Sequence, residues 1–431
     1  MALGVRIAAV QHYRYVPAGD ARSYLALSGQ IARGGDYAGT DRGAGDSRGP
    51  TAYFPPAYPY LLGAIAWLDG KAPSGASQVH VARVAQAVIG TLVVGFTGLV
   101  ALELFGPGMA LLALALAAIY PAFIGLSTVL VAETLMVAFE LAAVWCALRA
   151  HRTRDPLRWV IACGLCVGMA TLTHLNAVLL VIPLAIGVSS ALPVFGRRSV
   201  SAVAVLVAWT LVALTPWLVR DVLVMHRFVP VSDEAGITLA GTYNPQSASA
   251  TDPPYKWLYF GRVHADADLR VLAPLLSEPQ LDAKLESRAL TYVANHPSAP
   301  LAAGYHNTLR LLELEGRHAW RASTAAVGIP DGLATAGVAG FWALAVLALL
   351  GLFARPPEWR VPGWLWGVPW LMWLSVVLVN AETPRFREAI DPFLILLAAR
   401  SIAWAGLRAQ KAYRHRMTVR RAAHAAARYA R

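Results

Sequence analysis

Nine apolar stretches, at about 79–104, 109–126, 128–150, 157–173, 175–195, 200–219, 332–354, 362–379 and 390–407, leave this chain little freedom in what it can fold into. Each approaches the roughly 20 apolar residues that a helix needs to cross a bilayer. With 57% hydrophobic and 14% charged residues, the chain has more apolar side chains than one soluble core can bury. The expected fold class is therefore all-α, a polytopic transmembrane helical bundle with extracytoplasmic loops carrying juxtamembrane helices. Residues 1–16 open with an apolar run too short to span a bilayer or to serve as a signal peptide. They read as the second half of a truncated first membrane helix, or as a short peripheral anchor.

The formal charge of +12 does not point to nucleic acid, because eight arginines and lysines lie in the tail at 408–431, which has no acid, and without them the charge is +4. A basic flank after a last membrane helix is the positive-inside pattern of a cytoplasmic tail and needs no nucleic-acid partner. Further basic connectors follow every second span, at 151–154 with Arg158, at 196–198 and at 355–360. If these face the cytoplasm, the other connections face outward. Residues 17–78 are then a first extracytoplasmic loop, 79–219 and 331–407 are membrane helices, and 220–330 is an outer loop that forms a lid. The chain is expected in the plasma membrane, multi-pass, with its candidate site on the extracytoplasmic face. Within the outer loop, 281–314 has helical spacing, and 246–259 reads as poorly ordered.

The polar stretch at 19–62 is flanked by apolar sequence and carries Asp20, Asp36, Asp41 and Asp46. Tyr24, Leu25, Leu27 and Ile31 share a face at helical spacing, and Gly34 and Gly35 end that helix. Residues 53–60 hold three prolines and four aromatics, which favours a rigid turn at a membrane interface. Cys163 and Cys166 have CxxC spacing but no second Cys or His pair beside them, and read as small residues packed between helices.

Several polar residues fall where the topology faces outward. Asp20 can accept a proton from an attacking hydroxyl, or cap the helix that follows it. Glu133 interrupts an apolar span, where an ionisable group is costly unless it faces a cavity or a partner. His174 lies at an outward turn, as an interfacial side chain, an anion binder when protonated, or a hydrogen-bond donor when neutral. Arg220, Arg385 and Arg387 stand outside against the positive-inside bias, to bind a phosphate or to pair with Asp221, Glu382 and Glu388. Asp266 and Asp268 match the letters of a metal-binding Asp-x-Asp pair by chance, and neither a metal nor a cofactor is expected.

Taken in order, Gly19-Asp20 with Tyr24, Gly34-Gly35-Asp36, Pro55-Pro56 with Tyr58-Pro59, Ala132-Glu133-Thr134, Pro216-Trp217 with Arg220, Pro230-Val-Ser232 with Gly236, and Arg385-Phe-Arg387 with Asp391-Pro392-Phe393 form a series. This series resembles the integral-membrane glycosyltransferases of the GT-C superfamily, nearest the protein O-mannosyltransferase and aminoarabinose-transferase-like branch, glycosyltransferase family 39. The resemblance implies inverting transfer of a single sugar from a polyprenyl monophosphate carrier to an extracytoplasmic acceptor, whether cell-envelope glycan, lipid or protein. It implies Asp20 as catalytic base, Glu133 as the acid across the cavity, and Arg220, Arg385 and Arg387 near the carrier phosphate; with Glu133, the residues His174, Tyr58 and Asp36 are the candidates for substrate binding. The aminoarabinose transferases carry a phosphate-contacting Lys before the double proline, where this chain has Phe54, and Arg48 is the nearby cation that could replace it. The family's Arg-Asn after the Pro-Trp turn is Arg220-Asp221 here. A transporter or flippase of lipid-linked sugars is the alternative, although the chain shows no clear internal repeat.

Overall fold

Prolines cut the apolar sequence where helices must begin. Pro107, Pro121 and Pro156 each open a helix, at a position whose N–H would be unpaired in any case. The computed structural model describes residues 1–39, 49–70, 75–189, 197–251, 253–354, 359 and 361–429. Among the described residues there is no strand, only an isolated bridge between Ala38 and Pro50. Among the described residues five helices are long and apolar enough to cross a membrane: Ser77–Phe105, Pro156–Thr173, Ser201–Met225, Asp331–Phe353 and Asp391–Thr418. Ala57–Leu68, Pro107–Ile119, Leu175–Ser189 and Gly363–Val377 are shorter apolar helices. The stretch expected at 109–126 is two helices, because Pro121 starts Pro121–Leu126 afresh after Tyr120.

Glu133–Ala150 is the central helix, buried on nearly every side. It packs against Gly75–Phe105 and Pro156–Thr173, and the latter packs against Arg197–Met225. Across the bundle, Asp331–Phe353 packs on the helix that begins at Asp391. The outer helices expose large apolar side chains, among them Leu211 and Leu223 on one and Leu349 and Phe353 on another. Lipid is the solvent such surfaces fit. The first helix, Ala2–His12, lies against Gly75–Phe105 and buries Arg6, which donates to the carbonyls of Ala117 and Ala118.

Helical spacing at 281–314 appears as Glu278–Asn295 and Ala299–Leu311. The segment 246–259, expected to be poorly ordered, is packed instead. Asn244 caps Pro245–Ser249, the Tyr255 N–H donates to the Ser247 carbonyl at 2.9 Å, and Arg310 donates to the Pro254 and Tyr255 carbonyls. Its composition hid these partners, because most of them are backbone groups.

Close approach of Pro156–Thr173 to Arg197–Met225 depends on two glycines four residues apart. A Cβ on Gly164 would stand 2.5 Å from the Leu206 carbonyl oxygen, and one on Gly168 would stand 2.5 Å from the Ala213 Cβ. Thr210 Oγ1 donates to the Gly164 carbonyl at 3.1 Å across this contact. Small residues that let backbones meet are the usual device of membrane helix pairs. Cys163 is fully buried beside them, in the packing role expected of it. Gly164→Leu should therefore destabilise the protein by about 1–3 kcal/mol, the usual range for overpacking. Gly95→Leu, where a Cβ meets nothing within 4 Å, should not. Thermal unfolding of both variants in detergent checks the difference.

Candidate functional site

Gly19, at φ +55°, turns the chain into the helix Asp20–Ala32, so the cap position is Gly19 and Asp20 is the first helical residue. The expected cap role of Asp20 is thus taken by glycine, and the carboxylate projects into a cavity of about 480 Å³. Glu133, which opens the central helix, reaches the same cavity, as does His174, which ends Pro156–Thr173. Arg385 enters from the short turn Arg385–Arg387 before the last helix. Four segments far apart in sequence thus deliver four of the expected residues to one place.

Arg385 is the hub. Its Nη1 lies 2.8 Å from Asp20 Oδ2 and 3.6 Å from Glu133 Oε1, and its Nη2 lies 3.1 Å from Glu382 Oε2. The guanidinium also stands 4.4 Å above the centre of the Phe386 ring. Burial works against its charge, but Glu133, Glu382 and Asp20 hold its pKa well above the ordinary value. Burial lowers the His174 pKa, and although Glu133 and Asp20 oppose this the ring is neutral at pH 7. The lowered pKa favours the hydrogen-bonding alternative over anion binding by a protonated ring. Its buried Nδ1 makes no hydrogen bond among the described residues.

Glu234 lines the cavity as well, just before the helix Ala235–Thr242. Its pKa is pushed up to about 8, first by burial and then by the charges of Asp20 and Glu133, with Arg385 opposing. It is protonated at neutral pH. The sequence reading missed Glu234 because an acid in a polar loop is unremarkable, yet it stands within the quoted run from Pro230 to Gly236. Trp257 was missed in the same way, since it belongs to the segment read as poorly ordered.

The other expected residues lie elsewhere. Tyr58 is fully buried, and its hydroxyl donates to Gln86 Oε1 at 2.7 Å, while Gln86 Nε2 donates to the Val131 carbonyl at 3.1 Å. It supports the backbone leading to Glu133 and does not line the cavity. Asp36 is exposed and outside the cavity. Arg220 donates to the carbonyls of Thr51 and Tyr37 and to Asp221, so these donors hold the first loop, and it does not line the cavity. Arg387 is buried between Glu313 at 2.8 Å and Asp391 at 3.2 Å. Arg48, with Asp41 and Asp46, lies outside the described residues. Asp266 and Asp268 both pair with Arg288, which takes up the carboxylates a metal would need. Among the described residues no group of three or more His, Cys, Asp or Glu side chains is arranged to hold a metal.

The wall of the cavity is clasped from outside. Glu278 accepts from Thr51 Oγ1 at 2.8 Å and from the Ala52 N–H at 2.7 Å, next to Tyr53, Phe54 and Pro55 of the lining. Asp282 accepts from the Gly236 and Ile237 N–H groups at 2.6 and 3.2 Å and so fixes the helix that follows Glu234.

A helical bundle with a carboxylate-rich cavity at one end agrees with the all-α membrane fold class expected from the sequence. Residues 54–219, less than half of the chain, match the family described as dolichyl-phosphate-mannose-protein mannosyltransferase. Among curated proteins none matches. Solved structures that match include the archaeal oligosaccharyltransferase AglB from Archaeoglobus fulgidus, in complex with an inhibitory peptide and a dolichol-phosphate, at 14% identity and a TM-score of 0.39. That match covers 93% of this chain and 55% of the archaeal one, so the chain spans about half the length of that protein. ArnT from Cupriavidus metallidurans, bound to undecaprenyl phosphate, matches at 15% identity and a TM-score of 0.40, over 93% of this chain and 76% of its own.

Replacing Arg385 by Met strands three carboxylates together and should cost about 3 kcal/mol or more. Asp20→Asn in the same chain should recover part of that loss, because the two residues are in direct contact. Unfolding midpoints of the two single variants and the double variant check this, and strict additivity would contradict it.

Proposed function

We propose that this protein is an inverting glycosyltransferase that moves a single sugar from a polyprenyl monophosphate carrier to a hydroxyl of an extracytoplasmic acceptor in the cell envelope. The observation that carries this is the convergence of Asp20, Glu133 and Arg385 in one cavity. Each occupies a position the motif series singled out, and Glu133 lies within the stretch that matches the mannosyltransferase family. The dolichyl-phosphate-mannose of that family's description supports a lipid-phosphate donor. The orientation rests on the basic tail and connectors, which favour a cytoplasmic C-terminus and put the cavity on the outer face. Residues 1–16 and 79–219 with 331–407 are then membrane-embedded, 17–78 and 220–330 extracytoplasmic, the latter as a lid, and 408–431 a cytoplasmic tail.

In this mechanism Asp20 takes the proton of the acceptor hydroxyl while that oxygen attacks the anomeric carbon from the face opposite the phosphate. The bond from that carbon to the phosphate oxygen breaks, and its electron pair leaves with the polyprenyl phosphate. Arg385, the only Lys or Arg in the described lining, stabilises the charge that develops there. Glu133 and the neutral His174 hydrogen-bond the sugar. Glu234, protonated, donates a hydrogen bond without adding a negative charge beside the phosphate.

Purified protein incubated with radiolabelled polyprenyl-phosphate sugars should transfer sugar. Asp20→Asn, with intact expression and folding, should lower that rate by about 10²–10⁴-fold, the usual contribution of a general base. Equal transfer by both forms would remove Asp20 from its role.

The Glu234 shift sets a second outcome. Below about pH 8 the group is neutral and donates, and above it the carboxylate is charged and repels the phosphate. Transfer should therefore fall as pH rises through about 8, and Glu234→Gln, which cannot ionise, should remove that alkaline limb. An unchanged pH profile in the variant would show that Glu234 does not control it.

A further inference from the structure

A second cavity, of about 750 Å³, lies on the other side of the segment that leads into the Asp20 helix and shares no lining residue with the first. Arg22, His80 and Arg83 line it, together with apolar side chains such as Val16, Leu25 and Val79, and among the described residues no Asp or Glu does. Arg83 is only 6% exposed. Its Nε donates to the Thr128 carbonyl at 2.7 Å, its Nη2 donates to the Tyr13 carbonyl at 2.9 Å, and its guanidinium lies 5.4 Å from the centre of the Tyr15 ring.

These partners are all neutral. Among the described residues Arg83 has no ion pair, and its remaining nitrogen, Nη1, makes no hydrogen bond. Arg22 uses its Nε on the Pro17 carbonyl at 3.0 Å and leaves both terminal nitrogens unspent. A guanidinium withdrawn from water without an anion is costly, and more so near the start of a membrane-spanning helix. Arg22 brings a second guanidinium to the same void, which compounds that cost unless an anion fills it.

We propose that this cavity binds a phosphate group, carried on a lipid headgroup or free in solution. The planar forks of two arginines match phosphate oxygens, and the cavity adjoins the first turns of the helix Gly75–Phe105, whose N-terminal N–H groups favour an anion. The apolar lining accommodates the first carbons of a lipid attached to that phosphate. Basic pockets between membrane helices recognise headgroups in this way. The site is independent of the transfer reaction proposed above.

Native mass spectrometry of the delipidated full chain, titrated with phosphatidylglycerol and with phosphatidylcholine, tests the lipid source, and thermal stability with added inorganic phosphate tests the free one. Arg22→Gln with His80→Gln removes an exposed guanidinium and an exposed imidazole and leaves the carbonyl contacts of Arg83 intact. Arg262→Gln with Arg270→Gln removes two charges elsewhere. The wild type and the second pair should prefer phosphatidylglycerol, and the first pair should lose that preference by about tenfold, or about 1.4 kcal/mol. Stabilisation by inorganic phosphate that the first pair alone loses, without a lipid preference, would assign the site to free phosphate. Equal responses of the wild type and the first pair to every probe, or equal losses in both pairs, would overturn the proposal.

Discussion

One guanidinium holds the end of this bundle together. Arg385 lies within 3.6 Å of Asp20 and Glu133, which open the helices Asp20–Ala32 and Glu133–Ala150, and beside Glu382 of its own turn. Three carboxylates at that separation would repel one another in a site shielded from water, and the cation between them makes their closeness tolerable. The arrangement also limits what can enter. Hydroxyl groups of a sugar find acceptors on several sides, whereas a phosphate finds one cation and must compete with carboxylates for it. Neutral His174 and protonated Glu234 keep that competition from tilting further against the anion.

The contacts around the cavity make its wall rigid. Arg220 and Glu278 grip the same short stretch from opposite sides, one through the carbonyl of Thr51 and the other through the Thr51 hydroxyl and the Ala52 N–H. Trp217 Nε1 donates to the Val231 carbonyl at 2.8 Å, and the Asp233 N–H donates to the Ala52 carbonyl at 2.9 Å, which ties the run before Glu234 to that stretch. Fixed outer contacts of this kind hold reacting groups in register, and a small displacement at the reacting centre is costly in rate. Arg220 and Tyr58 therefore support the site at one remove, Tyr58 through Gln86 and the backbone before Glu133.

How far the sequence could be read follows from which interactions have a local signature. An ionisable residue inside an apolar run announces itself, because the membrane makes it expensive, and Glu133 was visible for that reason, while Arg385 was visible as an outward arginine against the positive-inside bias. The break at Pro121 was not read, because the apolar run continues through it, although proline restricts the backbone whatever surrounds it. Arg220 and Arg387 met the same criterion as Arg385 but point at other partners. The carbonyls that hold Arg220 belong to Tyr37 and Thr51, and backbone oxygens leave no mark in the sequence. Arg387 pairs with Glu313 and Asp391 and not with neighbouring Glu388, a choice made by packing alone. Glu234 was hidden because its unusual state comes from burial, not from its neighbours in the chain.

The last helix has a consequence of scale. Asp391–Tyr429 is continuous over 39 residues, so at about 1.5 Å per residue it measures roughly 58 Å, nearly twice the hydrocarbon thickness of a bilayer. Its beginning is anchored beside the cavity by the pairing of Asp391 with Arg387. The far half is therefore a stiff arm, and any tilt of the helix is magnified at its tip. A single rod thus joins the turn that carries Arg385 to a point about two bilayer-core thicknesses away.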